Sequence, residues 1–81
     1  MEWSVYMILC DDGSLYTGIS TDVERRFRQH QNGTGAKFFR ARQPLRLAYL
    51  ESGHDRASAS RREREIKRLS PARKRTLVDI S

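Results

Sequence analysis

One cysteine, two prolines and no apolar run longer than the six residues Val5–Cys10 narrow what this chain of 81 residues can be. A lone thiol, Cys10, makes no internal disulfide and cannot build a zinc site by itself. Six apolar residues fall far short of the ~20 that cross a bilayer as a helix. The first residues also lack the basic, apolar, small-residue order of a secretory signal. The expectation is a soluble, cytoplasmic protein with no membrane partner. Repeats, linkers and low-complexity tracts are missing as well, so residues 1–81 read as one domain. With 37% hydrophobic and 32% charged residues, the chain holds one modest core. A chain this small buries only about 60–65% of its unfolded surface.

Acidity is scarce over most of the sequence. Residues 1–20 hold Glu2, Asp11 and Asp12 and no basic residue, while residues 21–81 hold all sixteen Lys and Arg against seven acids. The net charge is +6, and thirteen of the sixteen cations are arginine. The planar guanidinium fork matches phosphate oxygens in pairs better than a lysine point charge does. A basic field on one part of a small domain is the electrostatic footprint of a nucleic-acid binder. A merely solvated basic surface is the weaker reading of the same charge.

Trp3-Ser4-Val5-Tyr6-Met7-Ile8-Leu9-Cys10 is aromatic and β-branched enough to form a buried strand. Asp11-Asp12-Gly13-Ser14 is a hairpin turn, and Leu15-Tyr16-Thr17-Gly18-Ile19 reads as the returning strand. Gly18 inside that strand marks a place where backbone or ligand approaches closely. Ser20, Thr21 or Asp22 caps a first helix whose inward stripe is Val23, Phe27 and His30, and which stops near Asn32-Gly33. Residues 33–43 form a basic, aromatic loop, and a third strand follows Pro44. Asp55 caps a second helix running through Leu69; Ser70-Pro71 starts a third. The expected fold is α+β: a three-stranded antiparallel sheet over about residues 3–9, 14–19 and 45–51, flanked by three helices.

Five polar side chains stand out. Glu63 shares an inward helical stripe with Ala59 and Ile66, a costly place for a carboxylate unless it pairs with a cation. It therefore either pairs with a basic neighbour on the helix or holds a metal ion. Arg26 and His30, four residues apart, share a face near Phe27; an arginine there stabilises a phosphate, and a histidine moves a proton. Tyr6 and Tyr16 lie on the two strands of one hairpin. Lys37, Arg40 and Arg42 in the loop, with Arg62 and Lys67 on the second helix, are candidate phosphate contacts. Phe38 and Phe39 either anchor the loop or stack on exposed bases.

Ser4-Val5-Tyr6, Tyr16-Thr17-Gly18, Arg26, His30 and Glu63, in this order and spacing, resemble the GIY-YIG nuclease domain from about Trp3 to Leu69. The likeness is greatest to the small stand-alone UPF0213 group, through Leu-Tyr-Thr-Gly-Ile-Ser-Thr-Asp-Val-Glu-Arg-Arg and Gly-Ala-Lys. The chain departs from the pattern at Ser4 and Thr17, and carries Arg73-Lys74-Arg75 where several members have an asparagine. The resemblance implies metal-dependent hydrolysis of DNA phosphodiesters, in a setting such as DNA repair or recombination. It implies one divalent cation, Mg²⁺ or Mn²⁺, held at Glu63, and an arginine, Arg26, on the scissile phosphate. Tyr6 and Tyr16 position or deprotonate the attacking water, with the base left open between them, and His30 assists. The alternative is a weakly catalytic or non-catalytic nucleic-acid-binding module that acts with a partner protein. The sequence leaves the oligomeric state open.

Overall fold

The apolar run near the start of the chain becomes the central strand. In a computed structural model describing residues 2–33 and 37–79, β1 (Trp3–Cys10) pairs on one side with β2 (Leu15–Ser20) and on the other with β3 (Pro44–His54). Both pairings are antiparallel. Gly13 takes φ +84 in the β1–β2 turn, a conformation that side chains resist. β3 outruns the expected 45–51 at both ends. Its pairing with β1 shifts register three times, so extra residues are absorbed as bulges that lengthen and twist the strand.

Three helices complete the chain: α1 (Val23–Gln31), α2 (Arg56–Lys67) and α3 (Pro71–Asp79). Among the candidate caps of α1 it is Asp22 whose carboxylate accepts from the Arg25 N–H. Asp55 and Ser58 cap α2 reciprocally, each side chain accepting from the other's backbone N–H. α2 stops at Lys67, two residues short of Leu69, with Arg68 closing its last turn. Ser70 accepts from the Arg73 N–H ahead of Pro71. Lys37–Arg40 form a single 3₁₀ turn within the expected loop, whose residues 34–36 lie outside the described residues.

Strand alternation sends β1 side chains to two separate cores. Val5 and Met7 pack against Ala59 and Ile66 of α2 and against Leu77 and Val78 of α3. Tyr6, Ile8 and Cys10 face the other way, against Phe39 with Val23 and Phe27 of α1. Each fully buried aliphatic side chain here stabilises by about 1.5–3 kcal/mol. α1 and α2 therefore cover opposite faces of the sheet. Periodicity tells which face of a helix turns inward, not which face of the sheet it meets.

Gly18 of β2 lies opposite Tyr6 in the register. A Cβ at that position would sit 2.6 Å from the Tyr6 hydroxyl oxygen and 2.7 Å from its Cζ. The ring occupies the space that a side chain would fill. Gly18→Ala is expected to destabilise the fold by about 1–3 kcal/mol through overpacking, read by urea unfolding. In a double-mutant cycle with Tyr6→Ala, part of that loss should vanish. Strict additivity would show that the two residues do not compete for one space.

Candidate active site

Because Tyr6 crosses Gly18, its hydroxyl is carried over β2, the outer strand of the sheet on that side. Tyr16 stands diagonally from it rather than directly opposite, since the register sets Tyr16 against Ile8. Their ring centroids are 6.4 Å apart. From α1, His30 is buried beneath both: its Nε2 lies 3.2 Å from the Tyr6 hydroxyl, and its ring meets Tyr16 edge-on at 5.1 Å. Phe39 closes over His30 at 4.5 Å between centroids. Arg26, one turn before His30, donates to Gln29 Oε1 at 2.9 Å and reaches the Tyr6 oxygen as well.

The electrostatics of this cluster follow from burial. Burial pushes the Tyr6 phenol up to about 12, with the neighbouring Tyr16 and Glu63 adding to the rise and Arg26 opposing it. Tyr6 therefore keeps its proton at neutral pH. Burial, reinforced by the positive charge of Arg26, lowers His30 below its ordinary value and keeps the imidazole neutral. The Tyr6 hydroxyl and His30 Nε2 share one hydrogen bond, in which either can donate according to the imidazole tautomer. His30 Nδ1 is buried with no hydrogen-bond partner among the described residues, and an unpaired buried polar atom costs about 1–3 kcal/mol.

Glu63 arrives from the other side. Ala59 and Ile66 of its stripe are fully buried, but Glu63 lies at the flank of the stripe with its side chain 23% exposed, and Lys67 Nζ sits 3.4 Å from its Oε2. The charge of Glu63 adds to the rise of the Tyr6 phenol from a helix whose buried residues pack on the other face of the sheet. Four groups, Tyr6, Tyr16, Arg26 and His30, thus come together on the α1 side, while Glu63 belongs to the helix on the other face. No cluster of three His, Cys, Asp or Glu side chains exists among the described residues. A caged metal site is thereby excluded there, while a hydrated cation on one accessible carboxylate fits Glu63, as suits Mg²⁺, which sheds its waters reluctantly.

The expected phosphate contacts fall into two groups. Lys37 and Arg40 are exposed on the 3₁₀ turn. Arg42 donates to Asp12 at 2.8 Å, and its guanidinium lies 4.3 Å from the Phe38 ring centre. Lys67 is held by Glu63. Arg62 is committed inward: with Tyr49 and His54 it converges on Glu51, at 3.2, 2.7 and 2.6 Å, and His54 also meets Ser58 at 2.9 Å. This network, which the sequence reading missed, braces the end of β3 against α2. Its only sequence signal is the clustering of polar residues at a strand–helix junction. Phe39 is buried and anchors the loop; Phe38 is half-buried beside Tyr16 at 5.3 Å.

The family model of the GIY-YIG catalytic domain matches residues 2–76. A UPF0213 protein of Desulfotalea psychrophila is 51% identical over 80 residues, covering 98% of this chain and 73% of the relative. One from Halobacterium salinarum is 49% identical over 73 residues, covering 90% and 95%. Among solved structures, the solution NMR structure of a UPF0213 protein from Bacillus halodurans superposes with a TM-score of 0.63 at 43% identity, covering 100% of this chain and 86% of the other. An NMR structure from E. faecalis gives 0.67 at 34% identity, covering 99% and 85%.

The buried neutral His30 makes stability depend on pH. Its lowered value in the fold means the unfolded chain binds the extra proton first as pH falls from the ordinary value of 6.5. The His30 contribution is fully present above 6.5 and is lost as pH drops through the lowered value, with a slope of at most about 1.4 kcal/mol per pH unit. Urea unfolding between pH 7 and 5 should show this loss, and His30→Gln should flatten it. An unchanged slope in the variant would place the titration elsewhere.

Proposed function

The chain belongs to the GIY-YIG catalytic-domain family, and on that premise we propose that it is a DNA endonuclease that hydrolyses phosphodiester bonds with a divalent cation, Mg²⁺ or Mn²⁺, held at Glu63. The observation that carries this reading is the Tyr6 hydroxyl, bonded to a neutral His30 and flanked by Arg26 and Glu63. Three unlike groups act on one oxygen. A structural tyrosine needs one partner; this one has a proton acceptor, a guanidinium and a carboxylate.

The steps follow from these residues. The Arg26 guanidinium takes one non-bridging oxygen of the scissile phosphate and offsets the charge that develops on it. The divalent cation on Glu63 supplies further charge neutralisation at the phosphate when bound. Tyr6, whose phenol holds its proton too firmly to be a free base, works through His30. The attacking water passes a proton to the Tyr6 oxygen while the Tyr6 proton moves to His30 Nε2. A P–O bond forms to the water oxygen, the opposite P–O bond breaks, and the departing oxygen is protonated from solvent. Tyr16, edge-on to His30, holds the imidazole in place. Lys37 and Arg40 on the 3₁₀ turn contact neighbouring phosphates, with Arg42 and Lys67 joining once released from Asp12 and Glu63. Repair or recombination of DNA is the setting we favour, and a partner protein could supply substrate choice.

Glu63→Ala should abolish Mg²⁺-dependent nicking of plasmid DNA while DNA affinity persists, since affinity is spread over many arginines. Arg26→Ala should lower turnover by about 10²-fold or more and affinity far less. Cleavage that survives Glu63→Ala in full would end the metal assignment. The rate should also fall as pH drops through the lowered His30 value, because protonated His30 has no lone pair left to accept from Tyr6. An acid limb of the pH–rate profile that is unchanged in His30→Gln would remove His30 from the relay.

A further inference from the structure

Two adjoining clefts lie between the β1–β2 turn and α3, and Phe38, which lines one of them, neighbours Tyr16. The larger, about 370 Å³, is floored by Leu15, Phe38 and Pro71 and bordered by Lys74 and Arg75. The smaller, about 220 Å³, shares Gly13, Leu15 and Arg75 with it and extends to Arg46. Together they form a groove with Arg75 in the wall of both parts and Phe38 in the larger. Its one carboxylate, Asp12, is already paired with Arg42, so the groove is positive. The larger cleft is of the size that holds a small ligand. It combines an apolar floor, an aromatic ring and two cations, which is the chemistry of a base with its phosphate.

Phe38 connects this groove to the reaction. Its ring stands 5.3 Å from that of Tyr16, so a strand whose phosphate lies at the tyrosines has its next nucleotide beside Phe38. We propose that the larger cleft is a subsite for one unpaired nucleotide next to the cleavage point, its base against Phe38 and its phosphate between Lys74 and Arg75. The substrate class is then duplex DNA interrupted by an unpaired nucleotide. This rests on the nuclease reading above and adds substrate choice to it. A base must leave the helical stack before an aromatic side chain can cover its face, and an unpaired base leaves most readily.

The test is equilibrium binding in EDTA, where no cleavage occurs. The probe is a duplex with one unpaired 2-aminopurine, compared with the fully paired duplex of the same sequence. Stacking on Phe38 should quench the probe and make the interrupted duplex bind about tenfold tighter. Phe38→Leu, which keeps apolar bulk in the loop, should erase both effects. Lys74→Gln and Arg75→Gln, on the surface of α3, should each reduce the salt slope of binding by about 1; they carry the test should Phe38→Leu fail to fold. Equal affinity for the two duplexes, or a preference that survives Phe38→Leu, would overturn the proposal. So would polyglutamate displacing the probe as well as unlabelled interrupted duplex does, which would mark the cleft as a site for acidic peptide. The readout needs no metal. A negative result here leaves Glu63-dependent cleavage standing, and absence of cleavage leaves the stacking result standing.

Discussion

A β-sheet is a wall, and side chains on its two faces meet only around an edge. That constraint governs this molecule. The two helices that carry the polar residues cover opposite faces of three strands, so Arg26 and His30 on one side and Glu63 on the other could not act on a common group above the middle of the sheet. The passage of Tyr6 across Gly18 resolves it. Lacking a side chain, Gly18 lets a ring rooted in the central strand lie over the outer one. The hydroxyl ends where groups from both faces can reach it. A phenol is long enough for this task; a serine or threonine at position 6 would leave its oxygen above the central strand.

The two cores divide the work. The face beneath α2 and α3 is filled by Val5, Met7, Ala59 and Ile66 and contains the ordinary apolar packing that holds the fold. The face beneath α1 mixes Ile8 and Cys10 with Tyr6, Tyr16, His30 and Phe39. Rings dominate there because they fill volume while presenting nitrogen or oxygen at their rims. The network around Glu51 sits at the far end of β3 and keeps α2 in register. Since α2 carries Glu63, that network also anchors the helix on which the carboxylate stands.

Much of this was legible in the sequence, for reasons that differ from element to element. The hairpin announced itself through Asp-Gly between two apolar runs, and Asp22, Asp55 and Ser70 marked helix starts by local hydrogen bonding that needs no tertiary context. The tyrosines, Arg26 and His30 were placed by strand alternation and by the helical spacing of four. Glu63 was misjudged because its stripe was read as uniformly inward, whereas a residue at the flank of a stripe can reach past the edge of the sheet. The extension of β3 to His54 was missed because bulges break the alternation by which strands are recognised. The Glu51 network joins residues on two elements, and no local pattern encodes which arginine of α2 turns inward.

β1 is paired along both edges, and Tyr6 sits at its middle. Backbone amides in such a strand exchange with solvent only when the whole domain opens. The key phenol thus rides on the segment that yields last, while the residues that accompany it come from elements tied down at one face only. The Tyr6 end of the cluster therefore loosens only with the whole fold. Damage to either core would shorten the protein's lifetime and disturb the tyrosine cluster together.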